Sequence, residues 1–191
     1  MLTDKSQAHD VVGASLTART GSTDGARAGG VFHVQCFDKD GNLKWETAEH
    51  NLVVNEGLQN MNTQYFKGST YSAAFYLGLI TGPGSGTSYS ASDTLASHSW
   101  TEYTDYSGSR KLVSFGTAST ADPSVISNSG SPSSFSISGS GGVIAGAFLC
   151  TVASGTSGVL FSESDFQSPG DRTVVSGDTL NVTYTFSLDA A

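Results

Sequence analysis

The chain has 191 residues, of which only 14% are Asp, Glu, Lys or Arg, whereas soluble domains contain about 25%. Its 23 glycines, together with many Ser and Thr residues, disfavour long helices and favour short strands joined by tight turns. The net charge of −8 and the scattered basic residues form no stripe that could neutralise phosphates, so we expect no nucleic-acid partner.

Residues 1–29 differ from the rest of the chain because they are small, polar and rich in glycine. Such a segment cannot bury enough apolar surface by itself to offset its conformational entropy. We therefore predict an extended N-terminal arm over residues 1–29, which becomes ordered against a partner or, alternatively, against its own domain. The predicted partner-binding side chains are Leu2, Val11, Val12, Leu16, Arg19 and Arg27.

The N-terminus has no basic region followed by an apolar run, so it does not match a signal peptide. The longest nearly apolar run, residues 142–153, is too short to span a bilayer as a helix. We expect a protein that folds in a cytoplasm and has no membrane partner.

Residues 30–191 are predicted to form one β-domain. Residues 30–38 alternate between apolar and polar side chains as a strand does, and residues 43–47 return as its partner. Between them, residues 38–42 predict a hairpin turn in which Gly41 adopts a positive φ.

The next segment contains the best helix candidate of the chain. Residues 50–54 continue as strand or loop, and residues 55–66 carry apolar side chains near helical spacing, with Asn55 as the predicted N-cap. A single helical turn is predicted over residues 92–100, capped by Ser92 or Asp93.

The remaining apolar or alternating runs predict further strands, of which the last has the clearest alternation. These runs cover residues 73–80, 100–104, 110–116, 134–139, 143–152, 158–163 and 177–189. About eight to ten short strands, separated by frequent turn signals, indicate an all-β fold. We predict an antiparallel β-sandwich or a jelly-roll-like barrel with one short helix and an extended N-terminal arm.

The stretch DTLASHSWTEYTDYSGSR, residues 93–110, combines aromatic, acidic, basic and hydroxyl side chains. Ser97 and His98 invite a Ser-His-Asp interpretation, but adjacent side chains of an extended chain point to opposite faces and no GxSxG elbow is present. We therefore predict no catalytic site and a non-enzymatic protein. The predicted role is a structural cap built from Asp93, His98, Trp100, Tyr103, Tyr106 and Arg110.

No metal site or cofactor is predicted either. Asp38, Asp40, Asn42 and Glu49 occupy calcium-loop positions, but Leu43 stands where that loop requires glycine. The four histidines have no metal-ligand spacing among themselves or with the cysteines. The two cysteines lie in apolar runs, which favours buried free thiols over a disulfide bridge.

Five stretches carry a family resemblance: FHVQCFDKDGNLKWETAEHNLVVNEGLQNM, FYLGLI, DTLASHSWTEY, YSGSRK and GDTLNVTYTFSL. In this order, across residues 31–188, they resemble a widespread family of small proteins encoded by tailed bacteriophages. The resemblance implies a virion structural protein assembled in the host bacterial cytoplasm. Its expected partners are the major capsid protein or other virion proteins, and it is expected to be a homo-oligomer.

Three functions remain open at this stage. The first is a capsid decoration or cement protein that is anchored by its arm. The second is a neck, tail or fibre-attachment component of the virion. The third, argued from the residues alone, is a carbohydrate-binding module or glycan hydrolase that would use Trp100, Tyr103, Tyr106 and nearby carboxylates.

Overall fold

The computed structural model describes residues 25–67, 74–82, 89–167 and 170–190. The elements in these ranges are β1 (Ala26–Phe37), β2 (Leu43–His50), β3 (Leu52–Val53), α1 (Asn55–Phe66), β4 (Tyr76–Thr81), β5 (Glu102–Tyr103), β6 (Lys111–Leu112), β7 (Ser124–Ser127), β8 (Ser133–Ser136), β9 (Gly142–Cys150), β10 (Leu160–Asp165), β11 (Arg172–Val174) and β12 (Thr179–Ala190). They form two antiparallel sheets that do not close into a barrel, which confirms the all-β sandwich and excludes its barrel alternative.

The first sheet is built around the long ladder between β1 and β12. Its strand order is β2-β1-β12-β7, and β8 also pairs with β12. The ladder runs without a register shift from Ala26 opposite Ala190 to Phe37 opposite Thr179. Residues 26–29 therefore belong to the sheet. The prediction that placed them in the arm was wrong at this boundary, because their small side chains hide the strand pattern.

The second sheet has the order β3-β10-β9-β4-β5, with β11 paired to β9 and β6 paired to β4. Unlike an exposed antiparallel sheet, it is covered on both faces. The core between the two sheets includes Phe32, Val34, Cys36, Leu180, Val182 and Tyr184 from the first sheet and Leu77, Leu79, Ala147, Leu149 and Phe161 from the second. A separate apolar cluster on the outer face includes Val54, Ile80, Leu95, Trp100, Ala145, Phe148, Cys150 and Leu160.

The helix α1 has the predicted bounds but not the predicted cap. Val54 is its N-cap and makes no side-chain capping hydrogen bond. Asn55 is already helical, because the backbone N–H of Val54 donates to the Phe161 carbonyl (3.2 Å) and prolongs the contact between β3 and β10. The helix lies so close to β10 that a Cβ at Gly57 would sit 2.3 Å from that same carbonyl oxygen.

The hairpin between β1 and β2 is confirmed. Gly41 has a φ of 84°, and one carboxylate oxygen of Asp38 accepts hydrogen bonds from the backbone N–H groups of Asp40 (2.9 Å) and Asn42 (2.8 Å). The Asp38 side chain thus closes a turn rather than a calcium loop. The prediction of buried free thiols is also confirmed for Cys36 and Cys150.

One further local prediction fails, and two strands were missed. Residues 92–100 form no helical turn; instead Thr94 and Ser97 exchange backbone hydrogen bonds (2.9 and 3.1 Å) across a tight turn. The strands β7 and β11 were not predicted, because both are short and their residues show no run of apolar side chains.

Candidate functional site

The segment around Trp100 covers the outer face of the second sheet. The Trp100 ring packs on Phe148 with a centroid distance of 4.7 Å, and the ring of His98 stacks on Trp100 at 3.6 Å. The Nδ1 atom of His98 also lies 2.8 Å from the Trp100 carbonyl oxygen. The two rings therefore form one apolar layer above β9.

A buried carboxyl group lies beneath this layer. Glu163 of β10 is fully buried; its Oε2 accepts from the Trp100 indole N–H (2.7 Å) and its Oε1 from the Ser90 N–H (3.2 Å). Burial, together with the adjacent carboxyl of Asp93, raises the pKa of Glu163 to about 7. Sequence reasoning missed Glu163, although an acidic residue inside the run GVLFSE is a signal for a buried polar contact.

Asp93 also closes the local turn, since its Oδ2 accepts from the backbone N–H of Ser90 at 3.2 Å. The His98 ring is committed to Trp100, and Ser97 lies in the exposed part of the turn. The contacts of Asp93, Ser97 and His98 are therefore those of a folded turn rather than of a nucleophile and its base.

Arg110 ties the same segment to the loop after β9. Its Nε and Nη2 atoms donate to the two carboxylate oxygens of Glu102 at 2.9 and 2.7 Å. Its Nη1 atom donates to the carbonyl oxygens of Val152 (3.3 Å) and Gly155 (2.9 Å), and the guanidinium lies 5.1 Å from the centre of the Phe148 ring. This buried, forked arrangement satisfies a group that would otherwise be costly to bury.

Tyr103 and Tyr106 lie on the other side of the sheet. Both are buried in the core between the two sheets, where Tyr103 pairs with Leu79 and Tyr106 meets Phe135 edge-on at 4.9 Å. Burial raises the pKa of both hydroxyls. The six residues that were predicted to form one cap are thus divided between the two faces of the second sheet.

The predicted partner-binding residues fall mostly outside the described part of the chain. Leu2, Val11, Val12, Leu16 and Arg19 are outside it. Arg27 is described: its side chain is exposed on β1, and its backbone pairs with Asp189.

An apolar groove lies beside the start of β1, between α1 and the end of β12. It is lined by Ala26, Met61, Asn62, Tyr65, Phe66 and Leu188, and its larger part encloses about 510 Å³. Tyr65 and Phe66 are 77% and 80% exposed. We call this feature the arm-base groove.

Chemical candidates are few. Among the described residues, no group of three or more His, Cys, Asp and Glu side chains is placed to hold a metal ion. Within the same ranges, no helix is long and apolar enough to cross a membrane.

Comparison of the chain with protein-family models, with curated proteins and with solved structures finds no match.

Proposed function

We propose that this protein is a structural component of a tailed-phage virion, a capsid decoration or cement protein that is anchored by its N-terminal arm. Its partners are the major capsid protein or other virion proteins, and it acts without catalysis. The mechanism is burial of interface area that is repeated by the symmetry of the particle.

The observation that carries this proposal is the way the arm joins the domain. The chain enters the fold as β1, and every residue of β1 pairs with a residue of β12. A segment that continues directly into a strand held by an unbroken ladder has a rigid base, which suits an anchor better than a flexible linker would.

The burial of the aromatic side chains favours this proposal over a carbohydrate-binding module. Such a module requires an exposed aromatic platform, whereas Trp100, Tyr103 and Tyr106 are each only 5% exposed. The three side chains that were candidates for stacking on a sugar ring therefore pack inside the protein's own apolar clusters.

The first test is the copy number of the protein in purified virions, measured by quantitative mass spectrometry against the major capsid protein. A ratio near one, or one copy per few capsid subunits, supports decoration. A ratio that corresponds to a single ring of copies moves the assignment to the neck, tail or fibre. Absence from the particle overturns the structural proposal.

The second test removes the arm. Because β1 begins at Ala26, the truncation has to end at residue 24 so that the ladder with β12 stays intact. We expect the truncated protein to fold and to unfold cooperatively on heating, and to lose binding to particles that lack their own copy. Retained binding would exclude the arm as the anchor.

A further inference from the structure

The core between the two sheets ends in an aromatic pocket. Five rings border this pocket and contact one another in sequence: Phe186, Phe161, Phe75, Phe115 and Tyr184. The centroids of successive rings are 5.4 to 6.3 Å apart, and their planes meet at 63° to 80°. These are edge-to-face contacts, in which the positive edge of one ring meets the negative face of the next. The lining is therefore of the kind on which a further aromatic ring packs well.

The rest of the lining is aliphatic. Met61 of α1, Ile126 of β7 and Leu149 of β9 complete it, so the helix and both sheets contribute. The Tyr184 hydroxyl is already engaged, because it accepts from Asn51 Nδ2 at 2.8 Å and lies 3.1 Å from the Ser162 hydroxyl. Among the described residues, none presents a polar atom to the pocket surface, so a water molecule would find no hydrogen-bond partner there.

The pocket is closed at its floor and open at its rim. Leu149, Phe161 and Tyr184 form the floor and are at most 5% exposed, whereas rim side chains such as Phe75 and Ile126 are half-buried. The pocket encloses about 220 Å³. An apolar cavity of about 150 Å³ is already large enough to hold benzene. A molecule with one aromatic ring, or with two fused rings, can therefore enter and fit.

We infer that the aromatic pocket binds a small aromatic hydrocarbon of one ring or two fused rings. Such a ligand supplies the lining side chains with dispersion contacts across the pocket, and its ring takes the edge-to-face arrangement of its neighbours. A ligand that buries a hydroxyl or amine is disfavoured, because that group would lose its water and gain no partner. The inference goes beyond the proposed virion role and does not rest on it, because it concerns the purified chain alone.

The first experiment is thermal unfolding of the full chain with toluene. With a dissociation constant of about 0.5 mM, toluene at about 5 mM should raise the midpoint of unfolding by about 3–5 °C. Phenol is the matched control ligand, since it has the same size but carries a hydroxyl in place of the methyl group. We expect phenol at the same concentration to raise the midpoint by less than about 1 °C. An equal shift with phenol, or no shift with toluene, overturns the inference.

A substitution on β7 tests whether the ligand binds in this pocket. Ile126 pairs with Phe186, so the two side chains share a face of the sheet, while Val125 pairs with Ser187 on the opposite face. Ile126→Trp places a larger side chain in the pocket and should abolish the toluene shift. Val125→Trp adds the same side chain outside the pocket and should keep the shift. A toluene shift retained in a cooperatively unfolding Ile126→Trp variant overturns the inference.

Nuclear Overhauser contacts locate the ligand in the unaltered chain and need no variant. We expect contacts from the toluene ring protons to the methyl groups of Met61, Ile126 and Leu149, which line the aromatic pocket. We expect none to the methyl groups of Leu58 and Leu188, which line the arm-base groove. The reverse pattern overturns the inference and assigns binding to that groove.

Tyr71 of the same chain is the competing aromatic occupant. It lies outside the described residues, four positions before Phe75. Tyr71→Ser separates the two cases. A toluene shift of similar size in this variant and in the unaltered chain supports a free ligand. A shift that appears only in Tyr71→Ser overturns the inference and assigns the pocket to the chain's own side chain.

Discussion

The indole N–H of Trp100 donates a 2.7 Å hydrogen bond to a carboxyl oxygen of Glu163, and Glu163 has no exposed surface. This contact holds the segment of residues 89–100 against β10. It joins a residue of the segment that looked catalytic in the sequence to a residue that sequence reasoning did not single out. The buried carboxyl makes the stability of this layer depend on pH.

We expect the free energy of unfolding to fall as the pH rises from about 4.5 to about 7. The pKa of Glu163 is about 7 in the folded protein against an ordinary 4.5, so within this window the folded state binds more protons than the unfolded state. The contribution of Glu163 to stability is fully present below a pH of about 4.5 and is lost above a pH of about 7. Glu163→Gln cannot titrate and should remove roughly 2 kcal/mol of this pH dependence.

Urea unfolding at pH 5 and pH 8 measures this slope. The exposed Asp40 offers the control, because Asp40→Asn should keep the pH dependence of the unaltered protein. An identical slope in Glu163→Gln and in the unaltered protein would assign the pH dependence to another group.

Arg110 should contribute far more to stability than an exposed cation does. Arg110→Ala leaves the Glu102 carboxylate and the Gly155 carbonyl without their donor, and we expect a loss of about 3 kcal/mol. Lys39→Ala removes an exposed ion pair with Asp40 and should change stability by less than about 0.5 kcal/mol. Denaturant unfolding of both variants tests the contrast, and equal effects would refute the structural role of Arg110.

Gly57→Ala should destabilise the protein even though Ala is the better helix former. Propensity alone would add about 1 kcal/mol of stability. The new Cβ would lie 2.3 Å from the Phe161 carbonyl oxygen, and a backbone atom cannot rotate away. We expect a net loss of about 2 kcal/mol in thermal or urea unfolding. Gln59→Ala, on the exposed side of the same helix, should stay within about 0.5 kcal/mol.

Both cysteine thiols should be inert in the folded protein. Burial, followed by the nearby carboxylate of Asp178, raises the pKa of Cys36 to about 12, and burial also raises the pKa of Cys150. A thiol reagent that needs the thiolate should react at least about a thousandfold more slowly than in denaturant. Asp40→Cys, in the exposed hairpin, should react at once. Rapid labelling of a native cysteine would reveal a strand that opens locally.

The fold could be predicted where the local pattern and the tertiary environment agree. The alternation in β12 matches its burial from Leu180 to Tyr184, and the helix was found because its spacing is regular. The failed predictions depend on distant partners. The start of β1 is recognisable only through its pairing with β12, and Val54 is held in place by Phe161.

The site was predictable in composition but not in arrangement. Trp100 and Arg110 stand out in the sequence because large amphipathic and charged groups need partners. Nothing in the spacing of Trp100, Tyr103 and Tyr106 shows that the sheet passes between them, because that depends on the pairing of β5 with β4. Glu163 lies 63 positions from Trp100, beyond the reach of any local pattern.

The ladder between β1 and β12 has a mechanical consequence. Its hydrogen bonds lie across the strand axes, so tension on the arm acts along β1 and shears all the rungs together. A force that pulls Ala26 away from Ala190 acts differently, because these two residues pair at one end of the ladder. Such a force would break the hydrogen bonds one pair after another. A partner that binds the arm and pulls it along β1 therefore applies force in the direction in which the ladder resists most strongly.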